Sequence, residues 1–422
     1  MEPLRAGFAR ETVTPIRNYD LSGYVARENP AVGVHDAVQV SALYLAGGEE
    51  AMILSIEALG FAPGDAEALR QKVAEACAIR AGHVMLAATH THSAPATMHL
   101  IGCGRPDDGW TRVLQEAVER VAREAKATAA PAHIGVGSAR VTGIARNRRR
   151  PAGPVDEAVT VVKVEMMPGR RQVVVVNFAC HPVVLPAQNR LVSGDYPGAV
   201  TRYLAARGVD ALFLTGACGD INPPDHGNFD TVAEIGERLG REAEDLLPSI
   251  ATSDGSVRVA WAPVTVRWQM PTASELQANE ETWVSVLHDP APSGSRGRVV
   301  QAWSRWIERH RSQNPPWPDE LEVPVQVIKA GPALFVALPG EVFCRTGLVL
   351  KEKLGLATVV SGYTNGNIGY LPTEDEYVHG GYEVAQAHVY YDYPGVVVPG
   401  TAERMAKVAV ELAENVSARE SV

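Results

Sequence analysis

The chain of 422 residues is 46% hydrophobic and carries a formal net charge of −10, enough apolar content for a large core and more length than one compact domain usually has, so it forms one elaborated domain or two intimate lobes. The acidic balance opposes nonspecific nucleic-acid binding. The start, Met1-Glu2-Pro3-Leu4-Arg5-Ala6-Gly7, lacks the basic flank and apolar core of a secretory signal, and no apolar run is long enough to span a bilayer, so a cytoplasmic protein without stable membrane association is expected.

Strands alternate with helices through the first half of the chain. Asp65 is placed to cap a helix whose apolar positions Leu69, Val73, Ala76 and Ile79 form one stripe, with Gly82 as its stop. The run Val84-Met85-Leu86-Ala87-Ala88 follows as a buried strand and empties into Thr89-His90-Thr91-His92-Ser93-Ala94-Pro95. Residues 110–129 read as a second amphipathic helix. Strands over 159–164 and 173–179 are separated by Pro168-Gly169-Arg170-Arg171, a hairpin-like break that predicts an antiparallel pair at the centre of a sheet. The second of them runs into Cys180-His181-Pro182. A helix over 197–207, a strand over 211–214 and a long helix over 229–247 complete a first lobe of helices layered on a mixed sheet.

From residue 255 the texture changes. Six of the seven tryptophans fall between Trp261 and Trp317, with Pro290, Pro292, Pro315, Pro316 and Pro318 around two predicted helices. This segment, at about 270–320, reads as an insertion, and its rings favour a cluster that glues the excursion to the core over a substrate-contacting lid. Strands over 334–338 and 358–362 restore the sheet, the first running into Pro339-Gly340-Glu341, and 400–416 reads as a closing helix. No solenoid period or low-complexity tract occurs.

Five scattered cysteines give neither a disulfide framework nor a CxxC knuckle. Cys180 adjoins His181, but neighbours on a strand face opposite ways, which argues against an activated nucleophile. Strand alternation aims His90 and His92 to the same side. One histidine at a strand end reads as a hydrogen-bonded core residue; His90, His92 and His181 share that context and point to a site. In layered α/β proteins ligands sit outside strand ends, and Glu341 also follows an apolar strand directly. Two histidines and a carboxylate are a common ligand set for catalytic zinc, leaving a position for water. Taken alone, Glu341 reads as a helix-start carboxylate ahead of Thr346, Leu350 and Leu354.

The run at 89–95, Asn177-Phe178-Ala179-Cys180-His181-Pro182, Ser193-Gly194-Asp195, Gly219-Asp220-Ile221-Asn222-Pro223, Leu338-Pro339-Gly340-Glu341 and Tyr370-Leu371-Pro372-Thr373-Glu374-Asp375-Glu376-Tyr377 occur in the order seen in neutral/alkaline ceramidases, which the chain resembles over roughly residues 5 to 410. The resemblance implies an α/β fold of mixed β-sheets layered with helices, a single elaborated catalytic domain over 1–422 without the family's C-terminal β-sandwich, and a zinc-dependent amidase. It implies that His90, His181, Glu341 and Tyr370 hold one Zn2+ per chain. His92 maps beside the metal's water. Tyr382, in Gly380-Gly381-Tyr382-Glu383-Val384, maps to the tyrosine that polarises the substrate carbonyl. Arg148, among the four arginines of Arg146-Asn147-Arg148-Arg149-Arg150, maps near the substrate. Asn222 stands where the family has serine, keeping a polar contact without a hydroxyl. Asp195 and Asp220 read as carboxylates that orient a ligand, or as turn-formers beside Gly194 and Gly219.

The changed residue at 222, the altered loop at 380–384 and the missing signal and β-sandwich favour a polar or carbohydrate-derived N-acyl amide over ceramide as the small-molecule substrate. The alternatives are an ester or other zinc hydrolase of the same fold, and an inactive, metal-free binding protein. An amidohydrolase barrel places its HxH on the first strand, with eight βα units following, a regularity that fails here. A metallo-β-lactamase-type site needs an aspartate-histidine pair where Ser93-Ala94-Pro95 stands. The oligomeric state is open.

Overall fold

The computed structural model describes residues 2–169, 171–284 and 294–418; Arg170 of the expected hairpin break, and Pro290 and Pro292 of the tryptophan-rich segment, lie outside the described residues. Alternation along the valine-rich strands sets the layers. In Arg171–Phe178, Val174, Val176 and Phe178 join a core beneath helices while Val173 and Val175 face a second sheet. Val84–Ala88 divides likewise, with Val84, Leu86 and Ala88 on the helix side and Met85 and Ala87 on the other. Strands apolar on both faces must be covered on both.

The larger sheet has eight strands in the order Asp210–Thr215, Arg171–Phe178, Ala158–Met166, Ala130–Arg140, Arg5–Val13, Val38–Gly47, Glu49–Ile56, Val84–Ala88. Helices Pro63–Cys77, Asp108–Ala127, Asp195–Ala205 and Phe229–Leu246 cover one face. The other meets a five-stranded sheet in the order Val359–Ser361, Ala333–Ala337, Glu320–Ala330, Val257–Gln269, Val396–Val397. Helices Cys344–Leu354 and Thr401–Ala418 close the far side of that second sheet. The result is a single domain of mixed helices and sheets in four layers: helix, sheet, sheet, helix. Among the described residues no helix is long and apolar enough to cross a membrane.

Two local expectations need correction. Ala158–Met166 and Arg171–Phe178 do pair antiparallel, Val161 opposite Val176, but they lie third and second from one edge of the sheet. Double-sided burial comes from the layers above and below, so apolar runs do not mark the sheet centre, which Ala130–Arg140 and Arg5–Val13 occupy. The first helix starts at Pro63, whose missing N–H is harmless in a first turn, so Asp65 sits inside that turn and caps nothing. The helix ends at Ala78 in a left-handed conformation (φ 50°), leaving Ile79 beyond it, and Arg70 and Ala74 replace Ala76 in the buried stripe.

The two edges of the large sheet approach one another at one end. Thr215 Oγ1 donates to the Thr89 carbonyl at 2.6 Å and Ser55 Oγ to the Phe213 carbonyl at 2.6 Å. The segment 362–365 is wedged between those edges: the Gly362 amide donates to Thr215, the Ala88 amide to Tyr363 and the Asn365 amide to Leu86. This curl brings the loop after Ala88 and the loop after Phe178 to one rim.

The tryptophan-rich segment forms helices Ala273–Trp283 and Gly294–Ser312. Ala302, Trp303, Trp306 and Ile307 are buried against Leu59, Leu100, Ile101 and Val389. The Trp306 and Trp317 indoles donate to the carbonyls of Tyr393 and Asp392 at 2.8 and 2.7 Å, so this segment braces 389–393.

Candidate active site

At the end of Val84–Ala88 the chain turns sharply. His90 adopts φ 67°, a left-handed conformation that costs a non-glycine residue about 1–3 kcal/mol and persists where surrounding contacts impose it. Its amide donates to the Ala58 carbonyl at 2.8 Å. The two histidines therefore stand in a turn beyond the strand, and simple alternation is not what brings them together. Their rings meet edge to face, 81° apart, with the two Nε2 atoms at 3.3 Å.

His90 Nδ1 lies 2.6 Å from the Leu59 carbonyl and His181 Nδ1 2.6 Å from that of Cys218. Carbonyls only accept, so Nδ1 carries a proton in each ring and Nε2, in the neutral ring, presents a lone pair. Both lone pairs face one carboxylate oxygen: Glu341 Oε2 is 3.0 Å from His181 Nε2 and 3.5 Å from His90 Nε2. All three side chains are buried. Burial, then the nearby Arg148 cation, pulls His181 down to about 4. Burial would raise Glu341, but positive charge on the His90 and His181 rings would outweigh it and hold the carboxylate well below its usual range, a role that neutral rings leave to a cation between them. Lone pairs converging on an anion repel unless a cation lies between them. Donor separations of 3.0 and 3.5 Å match the roughly 3.3 Å edge of a tetrahedron with ligand bonds of about 2.0–2.1 Å to zinc. The donor set fits that ion.

Glu341 belongs to no helix. Glu341–Val342 pairs in parallel with Tyr370–Leu371, and Glu341 and Tyr370 are register partners; the helix Cys344–Leu354 starts only after Phe343. Tyr391 donates a short hydrogen bond to Glu341 Oε1, and Tyr363 stacks on His90 at 3.9 Å between centroids. The Tyr370 oxygen accepts from Arg148 Nη2 at 3.0 Å. Burial raises that phenol, and the Arg148 cation works against the rise. The same guanidinium holds Glu383 through Nε at 2.7 Å and Asn222 Oδ1 through Nη1 at 3.1 Å. Arg149 and Arg150 are taken by Glu376 and Glu383, so Arg148 is the arginine of its run that reaches the site.

His92 is held well below its ordinary pKa, first by burial and then by the His90 and His181 imidazoles. Its Nδ1 has no partner among the described residues and rests on Gly23, where a Cβ would come within 2.4 Å of it at a φ of +97°. Arg27 Nη1 donates to the His92 carbonyl at 2.8 Å. Tyr382 is 42% exposed with its ring 5.7 Å from that of Tyr370. Surrounding protein pushes its phenol well above its ordinary pKa, so it remains a donor at neutral pH. Asp220 accepts the Cys344 amide at 2.7 Å and the Asn147 side chain at 2.8 Å. Asp195 accepts the amides of Leu185 and Tyr196. Asp195 acts on backbone and Asp220 on backbone and the Asn147 side chain; among the described residues neither forms a hydrogen bond with a histidine side chain.

All eight residues singled out from the sequence thus lie around one centre. No protein-family model matches the chain, and no curated protein matches it in sequence. Solved structures do match in three dimensions, two of them as follows. The neutral ceramidase from Pseudomonas aeruginosa matches with a TM-score of 0.76 at 20% identity, over 100% of this chain and 75% of that one. A ceramidase complexed with C2 matches with a TM-score of 0.74 at 19% identity, over 100% and 76%. The chain has the neutral ceramidase fold. Within this ceramidase fold, sequence reasoning missed Gly23, Tyr363 and Tyr391, which seat His92, His90 and Glu341. Only Gly23 left a trace, as a glycine where a left-handed turn and close packing need one.

Proposed function

We propose that this protein is a zinc-dependent hydrolase that cleaves the N-acyl amide bond of a polar or carbohydrate-derived small molecule. The observation that carries this reading is the pair of imidazoles, Nδ1 of each held by a carbonyl, whose Nε2 atoms converge with Glu341 Oε2 at the spacing of a metal shell. His90, His181, Glu341 and Tyr370 would hold the ion, with Arg148 offsetting charge on the phenol oxygen. When bound, zinc supplies Lewis acidity, polarising a carbonyl and making water nucleophilic near neutral pH. His92, neutral and with Nε2 facing the centre, takes up the water's proton and returns it to the leaving amine. Tyr382 donates to the carbonyl oxygen as negative charge builds, a contact worth about 2.7–4 kcal/mol of barrier. Asn222 has its Oδ1 engaged by Arg148, so its NH2 is the group that meets substrate.

The ceramidases of the same fold support an amide as the scissile bond. Five free, buried cysteines suit the reducing cytoplasm we infer for it. A hydrolysis panel of N-acyl amides, amino-sugar amides and matched esters with the zinc-loaded protein tests the reading. Release of amine from at least one amide, abolished in His181→Ala, is expected; turnover of esters alone would move the assignment to an esterase, and inertness towards all three classes would remove it.

A further inference from the structure

A cavity of about 240 Å³ lies between residues 20–29, 99–105 and the helix Gly294–Ser312. Four arginines, Arg27, Arg105, Arg298 and Arg305, line it against two carboxylates, Asp20 and Glu28, and two of the arginines carry the argument. Arg27 is only 8% exposed; its Nη1 donates to the carbonyls of Ser22 and His92 and its Nε to that of Asn189, while its Nη2 is buried with no partner among the described residues. Arg298 repeats the pattern, with Nε donating to the Val25 carbonyl at 2.7 Å and Nη2 buried and unpartnered. Among the described residues neither guanidinium forms an ion pair. Asp20, which also lines the cavity, accepts the Arg105 amide. Burial without a counter-charge pulls Arg27 down to about 10.

A buried cation is normally paired. Here neutral carbonyls hold one side of each guanidinium and leave free N–H groups on the other, the geometry that suits an incoming oxyanion. The volume falls below the roughly 300–1,000 Å³ of drug-sized sites and suits one small charged group. Because Arg27 grips the His92 backbone, an anion bound here lies next to the loop that carries the proton acceptor.

We propose that this cavity is an anion subsite that takes a carboxylate or sulfate carried by the substrate, at the end remote from the scissile amide. This rests on the hydrolase reading for the substrate's role, though not for the anion itself. Calorimetric titration of the full-length protein with sodium sulfate at constant ionic strength should show saturable binding. Arg298→Gln and Arg27→Gln should each weaken it at least about tenfold, the scale of one charge-assisted hydrogen bond, while His181→Ala leaves it unchanged. Should Arg27→Gln fail to fold, Arg298→Gln still decides. With a sulfated and an unsulfated N-acetylated amino sugar, wild type should prefer the sulfated one by kcat/KM, and Arg298→Gln should erase that preference. Unsaturable sulfate binding, binding indifferent to both arginines, or equal turnover of the two sugars overturns the proposal. Arginine-dependent sulfate binding with neither sugar hydrolysed, and with the wider panel of amides and esters also inert, would keep the anion site and overturn the hydrolase reading alone.

Discussion

The protonation state of three imidazoles decides what this site can do. His90 and His181 give their Nδ1 protons to carbonyls, so each, in its neutral form, turns the Nε2 lone pair towards a metal. His181→Ala removes a donor and should abolish both metal retention and turnover; metal analysis of the variant showing wild-type content would exclude it from the site. His92 has a different role, and His92→Ala should keep the metal while turnover falls about 10²- to 10⁴-fold. Gly23 sharpens that distinction. A methyl group there meets the His92 ring at 2.4 Å in a backbone conformation unsuited to alanine, so Gly23→Ala should mimic His92→Ala: metal retained, kcat reduced. Loss of metal in Gly23→Ala would show that the glycine serves the fold and not the imidazole. At this scale the histidines and Glu341 were legible because each ends an apolar run. Tyr370, one of twelve tyrosines, was reachable only through family resemblance, because its selection depends on pairing with Glu341 across a long stretch of chain. Tyr391 was illegible for the same reason.

Short elements position the long-range contacts. A two-residue parallel pair sets Glu341 beside Tyr370, and another joins Arg146–Asn147 to Ile221–Asn222, presenting Arg148 and Asn222 together. Such pieces have no periodicity to read, whereas the long helices appeared within a few residues of their observed bounds. The tryptophan-rich segment braces 389–393 and so, through Tyr391, the Glu341 carboxylate. Trp303 is 1% exposed and stacks on Trp283 at 5.3 Å; Trp303→Ala should destabilise the protein by about 3–5 kcal/mol in denaturant titration. His388 lies in the same cluster, 5.2 Å from Trp306 between centroids, and burial pulls it down to about 3. An unfolded chain protonates this residue near pH 6.5, the folded one only near 3. Stability must therefore fall as pH drops through that window, by about 1.4 kcal/mol per pH unit from this group. His388→Gln should flatten the acid limb of stability against pH; an unchanged slope would show that His388 is not buried neutral.

Across the whole molecule, four layers do one thing for function: they hold strand ends still. Curling of the large sheet, with 362–365 wedged between its edges, brings the loops after Ala88 and Phe178 together although their strands are the eighth and the second in the order of the same sheet. The layered α/β architecture followed from alternating apolar runs and turn signals. The curl did not, because it is made by hydrogen bonds between residues such as Thr89 and Thr215, whose proximity no local pattern encodes. The anion cavity was equally hidden, since it is assembled from three separate stretches of chain. The fold, the lone-pair geometry and the proposed chemistry meet in one quantity, the metal content of protein purified without added metal. About one zinc per chain, lost in His181→Ala and kept in His92→Ala, is the predicted result; a wild-type protein that holds no zinc and takes none up on titration would contradict the account.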